Sequence, residues 1–234
     1  MNRPIIDIII PCFNEEKSIA LVLADIPSDW VRNIVVCDNN STDQTAQVAK
    51  NNGATVVHAP QRGYGSACLA GMAHIATLPV PPEIIVFIDG DYSDYPEQLP
   101  DIVGPIITQN IDMVIGSRAL GQAETGSMTT PQIFGNWLSA NLLRIIYGYR
   151  FTDLGPFRAI RYEALLRLKM IDTNYGWTVE MQVKAAKHRL YCTEVAAHYR
   201  RRTHGTSKVS GSISGSIRAG YKILWVIFKY AFAK

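Results

Sequence analysis

The chain reads as an α/β protein, a mostly parallel sheet with helices on both faces, and three observations lead there. Short apolar runs rich in branched residues recur at 6–10, 33–37, 55–57, 84–88 and 113–115. Each is too short for an ordinary helix and suits a strand buried on both faces. Amphipathic stretches near 18–25, 42–50, 66–77 and 97–109 alternate with these runs, which is the pattern of right-handed βαβ units. Finally, 234 residues with 47% apolar and 18% charged content are enough for one large domain with a substantial core, and they exclude disorder.

Taken in order, the first run ends at Pro11-Cys12-Phe13-Asn14-Glu15-Glu16 and leads into the helix at 18–25. The second ends at Asp38-Asn39-Asn40-Ser41, where Ser41 and Gln44 have capping-box spacing for the next helix. The third leads to Arg62-Gly63-Tyr64-Gly65, a glycine-rich turn entering the helix at 66–77. The fourth ends at Asp89-Gly90-Asp91. Asp94 with Glu97 repeats the capping spacing, and Pro96 stands where a first helical turn tolerates proline. The fifth runs into Gly116-Ser117-Arg118. Beyond residue 150 the alternation weakens to a helix at 178–187, a strand at 191–199 and a Gly/Ser-rich hinge. One helix, 212–234, closes the chain, so the expected organisation is a domain at 1–209 and an amphipathic helix at 210–234.

Ligands of open α/β sheets sit outside the carboxyl ends of the strands. Three of the four ends with polar sequences carry acids, and the fourth carries Arg118. In an extended segment residues i and i+2 face one side, so Asp89 and Asp91 can address one cation together. Gly90 between them lets a ligand approach the backbone. Two carboxylates suit Mg²⁺ or Mn²⁺ carrying a diphosphate. The plainer reading of Asp-x-Asp is a polar turn, and Asp38, Asp43 and Glu16 can serve as helix caps.

Composition narrows the setting. The net charge of +3 does not suggest a nucleic-acid partner. Cys12, Cys37, Cys68 and Cys192 are scattered with no C-x-x-C pair, which disfavours structural zinc and disulfides and points to a reducing compartment. The start lacks a secretory apolar segment, so the cytosol or the cytosolic face of a membrane is expected.

This set of strand ends resembles the inverting family 2 glycosyltransferases of the GT-A (Rossmann-like) fold. The likeness continues through Thr152-Asp153-Leu154-Gly155-Pro156-Phe157-Arg158 and Tyr175-Gly176-Trp177-Thr178-Val179-Glu180. Tyr199-Arg200-Arg201-Arg202 with Gly205-Thr206-Ser207-Lys208 looks like the polyprenol- and dolichyl-phosphate mannose or glucose synthases. The resemblance implies a metal-dependent hexosyltransferase using a UDP- or GDP-linked sugar, with a polyprenyl phosphate as acceptor. It implies that Pro11, Phe13 and Glu15 line the base and ribose pocket, that Asp38 accepts from the base, and that Arg62 and Arg202 serve the phosphates. Asp89 and Asp91 would hold the metal, with Asp91, Asp153 and Glu180 as the acids of the chemistry. Two departures stand out. Relatives carry Leu-Gln after the second aspartate where this chain has Tyr92-Ser93, and the segment at 130–136 lacks their acceptor-phosphate arginine.

A phosphate acceptor is already anionic and needs cations rather than a general base; Arg118, Arg202 and Lys208 are the candidates. A soluble or glycan hydroxyl acceptor would need a base, for which Asp153 or Glu180 is available. A nucleotidyltransferase would need a basic glycine-rich loop where Phe13-Asn14-Glu15-Glu16 stands, and intact Asp38, Asp89 and Asp91 argue against a non-catalytic module. In the last helix, Arg218, Lys222 and Lys229 fall in a narrow sector opposite a broad apolar face. Its longest apolar run, 223–228, is far below the ~20 residues that span a bilayer. Peripheral contact with an anionic membrane is the expectation, and packing on the domain or in a homodimer is its alternative.

Overall fold

The computed structural model describes residues 3–204 and 213–232. The strands are β1 (Ile6–Cys12), β2 (Asn33–Asp38), β3 (Thr55–His58), β4 (Ile84–Phe87), β5 (Met113–Ser117), β6 (Arg158–Arg161) and β7 (Cys192–Ala196). Among the described residues they form one sheet, in the order β3-β2-β1-β4-β6-β5-β7. Every pairing is parallel except those of β6, which runs antiparallel to both β4 and β5. The five expected runs are the first five strands. β6 is an addition: its four residues, Arg158-Ala159-Ile160-Arg161, show neither a long apolar run nor clean alternation.

Helices α1 (Ile19–Asp25), α2 (Thr45–Asn51), α3 (Tyr64–Ile75) and α4 (Leu99–Thr108) occupy the expected stretches. They are followed by α5 (Thr130–Tyr147), α6 (Tyr162–Leu168), α7 (Trp177–Lys187) and α8 (Ile213–Phe232). Side chains alternate across a strand, so β1 feeds two cores. Ile9 joins Val35, Phe87 and Trp177 under α3 and α7, whereas Ile8 and Ile10 join Val36, Ile19 and Ile102 under α1 and α4. Trp177 meets Phe87 edge-on at 5.9 Å between ring centroids.

Neither expected capping box forms. Helix α2 begins at Thr45 with no side-chain cap, and Ser41 instead accepts the backbone N–H of Asn14 at 3.0 Å. Asp94 precedes a single 3₁₀ turn at Pro96–Gln98 and caps nothing; its buried carboxylate has no hydrogen-bond partner among the described residues. The strand-end loops are tied to one another, Glu16 accepting the Gln44 N–H, while Asp43 does accept the Thr45 N–H at the start of its own helix at 3.0 Å. The expected strand at 191–199 shortens to β7, and the helix expected from 178 starts at Trp177.

Helix α8 has two faces. Val226 and Ile227 are buried against α5 and α7, the Tyr147 hydroxyl donates to the Ile227 carbonyl at 2.5 Å, and Lys187 Nζ donates to the Tyr230 carbonyl at 3.0 Å. On the other side Ile217, Tyr221, Trp225, Phe228 and Phe232 are exposed at helical spacing. Packing on the domain therefore describes one face of the segment, and the other face is free of it. Among the described residues, no helix is long and apolar enough to cross a membrane.

Candidate active site

Parallel pairing brings the carboxyl ends of β1, β2, β4 and β5 to one rim, where they wall a cavity of about 580 Å³. Pro11, Phe13 and Glu15 reach it from β1, Asp89 and Asp91 from β4, and Arg118 from just beyond β5. Arg62 enters from the turn before α3, its guanidinium 4.1 Å above the Phe13 ring. Tyr175 and Thr178 close the opposite side together with Ala219 and Ile223 of α8.

Arg202 ties the acids together. One of its nitrogens lies 2.8 Å from Glu15 Oε1 and another 2.6 Å from Asp91 Oδ2, so a cation already bridges the two strand ends. The other oxygen of Asp91 accepts the Ser93 N–H at 2.9 Å, which fixes the carboxylate in the loop. Asp89 accepts from the Tyr64 hydroxyl at 3.0 Å. Burial, reinforced by the charge of Asp91, pushes its carboxyl up to about 7. Gly90 is constrained from behind, which the sequence does not suggest: a side chain there would overlap Cys12 Sγ.

Arg118 and Asp153 form a buried bidentate pair. Arg118 Nε donates to Asp153 Oδ2 at 2.7 Å, one terminal nitrogen donates to Oδ1 at 2.6 Å, and the Arg118 backbone N–H donates to Oδ2 at 2.8 Å. Both oxygens of Asp153 are thus committed to the arginine, an orienting arrangement rather than that of a free base. The structure does not bring Glu180 to the cavity. It is fully buried on α7, where it accepts from Lys184, from Tyr230 of α8 and from the N–H groups of Ile171 and Asp172. Asp38 ends β2 behind the wall, accepting the Ser41 N–H at 3.3 Å, with His58 Nδ1 3.6 Å away. Lys208 lies outside the described residues.

Sequence reasoning alone misses two residues of the site. Asn39 lines the cavity; its amide donates to the Ala59 and Gln61 carbonyls while its oxygen accepts the Gly63 N–H, which pins the turn carrying Arg62. Tyr64 supplies the hydrogen bond to Asp89. The signal for Asn39 is its place beside Asp38 at a strand end, and for Tyr64 its place between two glycines.

Among the described residues, no three His, Cys, Asp or Glu side chains are grouped to hold a metal by themselves. Asp89 and Asp91 still fit a hard cation that completes its shell with water and phosphate oxygens, and Arg202 shows that the place accepts positive charge.

The glycosyl transferase family 2 model matches residues 7–171. An uncharacterized glycosyltransferase of Mycobacterium tuberculosis is 38% identical over 216 residues, covering 92% of this chain and 94% of that protein. The undecaprenyl-phosphate mannosyltransferase of Micrococcus luteus is 32% identical over 219 residues, covering 88% of each chain. In three dimensions, the glucosyl-3-phosphoglycerate synthase of M. tuberculosis, solved with Mn²⁺, UDP-glucose and phosphoglyceric acid, superposes with a TM-score of 0.78 at 23% identity. That match covers 99% of this chain and 81% of the synthase, and it shows the GT-A fold. With its strand ends converged on one acidic cavity and the family model spanning them, the chain belongs to glycosyl transferase family 2.

Proposed function

We propose that this glycosyltransferase moves a hexose from a UDP- or GDP-linked donor to a polyprenyl phosphate, with inversion, at the cytosolic face of a membrane. The observation that carries the reading is the meeting of Asp89, Asp91, Glu15 and Arg202 on one cavity wall. Asp89 and Asp91 would hold Mg²⁺ or Mn²⁺, in keeping with the Mn²⁺ and UDP-glucose described for the superposed synthase. When bound, the metal disperses charge on the departing diphosphate. Arg202, at the same carboxylates, supplies a second cation for that diphosphate. Phe13 and Arg62 offer a flat face and a charge to the nucleotide.

On the acceptor side, Asp153 holds Arg118 at the cavity wall through Nε and one terminal nitrogen, and the other terminal nitrogen is the one to meet an acceptor. Such a cation suits a phosphate, whose oxygen attacks without a base, and the engaged state of Asp153 favours that acceptor over a hydroxyl. The relative from M. luteus, named as an undecaprenyl-phosphate mannosyltransferase, supports the same choice. Exposed Trp137 and Phe134 of α5 and the exposed ridge of α8 add apolar surface, with Lys229 4.7 Å from the Trp225 ring. Apolar residues beside a cation suit an anionic membrane interface. A soluble phosphorylated acceptor is the second reading, favoured by the name of the superposed synthase.

The test is nucleotide release from a panel of UDP- and GDP-sugars with Mn²⁺, with and without a polyprenyl phosphate. Release that rises only with the lipid supports the proposal. Indifference to the lipid removes the acceptor, and no release with any donor removes the donor class.

A further inference from the structure

Helix α8 reaches the donor side of the cavity through two buried carboxylates that have no place in the chemistry. Asp172 and Glu180 bracket the loop 171–176 between α6 and α7. Glu180 accepts the Asp172 N–H at 2.8 Å on one side and the Tyr230 hydroxyl of α8 at 2.8 Å on the other. Asp172 Oδ1 accepts the Asn174 and Gly176 N–H groups at 2.8 and 3.2 Å, closing the loop on itself. Its other oxygen lies 2.9 Å from Lys222 Nζ, one turn along α8 from the wall residue Ala219.

The far side of this loop touches the turn that carries Arg62. The Thr173 carbonyl accepts both the N–H of Ser66, at 2.9 Å, and its hydroxyl, at 3.2 Å. Gly63 and Gly65 press on the same stretch of backbone, since a side chain at either would run into the carbonyls of Thr173 or Asp172. The loop is therefore held from α8 on one face and supports the donor turn with the other. Asn174 and Tyr175, in between, stand at the cavity wall.

We propose that Asp172, braced by Lys222, is a positioning residue for donor binding, so that the last helix sets the register of the donor turn as well as presenting an apolar face. This rests on the donor reading above. A brace acts on binding rather than on the chemical step, so its removal should raise KM for the nucleotide sugar and spare kcat.

Lys222→Met keeps the side-chain stem of a half-buried residue and removes only the charge; Lys222→Arg restores it; Asp172→Asn keeps the loop-closing acceptor. In the Lys222→Met and Asp172→Asn proteins, KM for the donor should rise about 5- to 10-fold, the size expected for losing one partly buried charge-assisted contact. The kcat should stay within about twofold, and Lys222→Arg should recover most of the loss. Amide hydrogen exchange without ligand should quicken at 63–66 and 173–176 in the Lys222→Met protein. Unchanged KM with exchange faster only within α8 would overturn the proposal, as would an equal fall in kcat. If the unaltered protein releases no nucleotide from any sugar donor, the donor reading fails, whereas the exchange at 63–66 still decides whether the brace exists.

Discussion

The two sides of the cavity are built by different means. The side proposed for the donor consists of strand ends whose acids are already satisfied: Asp91 by Arg202 and Ser93, Asp89 by Tyr64, Glu15 by Arg202. Helices α5 and α8, which reach the cavity through Gln132, Ala219 and Ile223, leave large apolar residues in solvent away from it, among them Trp137, Trp225 and Phe232, the last 85% exposed. A strand end fixes a carboxylate through the sheet's own backbone ladder, so it can set the geometry that a diphosphate and a small cation demand. An exposed helix ridge fixes little by itself and suits a yielding, apolar counterpart. The contrast teaches that rigid geometry is concentrated at the strand ends, the side proposed for the donor.

The strongest blow to that contrast is Asp91→Asn. It removes a proposed metal ligand and one of the carboxylates that Arg202 bridges, and turnover should fall about 10³-fold in a steady-state assay, the scale of losing several kcal/mol of charge stabilisation. Activity within tenfold of the parent would take Asp91 out of the site. Next in size, Asp153→Asn breaks the bidentate hold on Arg118. Uncompensated buried charge costs about 3–5 kcal/mol, read as a lower denaturant midpoint. An unchanged midpoint would mean that the arginine finds water or another acceptor.

A subtler effect concerns Asp89. Its folded pKa is raised from the ordinary 3.8 to about 7, so the cation-free protein binds more protons than the unfolded chain across that window. Stability contributed by this group is complete below the unfolded value and is lost as pH rises toward about 7. Binding of Mn²⁺ with a nucleoside diphosphate should tighten over the same range and level off above it, with proton release on binding. Asp89→Asn should flatten both profiles in melting and titration experiments. Smallest for catalysis, Phe228→Ser with Phe232→Ser should weaken binding to anionic vesicles about tenfold, from roughly 1–2 kcal/mol of lost apolar contact. Donor hydrolysis should not change; if it falls in step, the exposed ridge belongs to the fold and not to a surface.

Most of the donor side is legible in the sequence because one rule, that ligands meet the carboxyl ends of parallel strands, turns order along the chain into proximity in space. Asp89, Asp91, Glu15 and Arg62 follow from it directly. Arg202 does not, since it joins its partners across 187 residues from Glu15, and only resemblance points there. Helix α5 has its signals in plain view, Thr129 and Gln132 forming a true capping box with Pro131 in the first turn. Its exposed Ile133, Phe134 and Trp137 blur the apolar period and hide the helix from a periodicity reading. At Ser41 and Asp94 the same capping spacing misleads, because tertiary ties between neighbouring loops take the Ser41 side chain elsewhere and Asp94 is buried ahead of a 3₁₀ turn. Glu180 shows the converse: an acid within a family motif can be spent wholly on backbone and helix contacts.

Gly90, just beyond the end of β4, and Cys12, at the end of the neighbouring β1, occupy in effect a single shared volume. The space between the two acids is therefore not filled independently: a methyl group at 90 requires the sulfur at 12 to move or to be removed. Gly90→Ala alone should misalign both aspartates, whereas the same change with Cys12→Gly should restore them. Substitution at the middle of Asp89-Gly90-Asp91 is thus coupled to a residue 78 positions earlier, on a different strand.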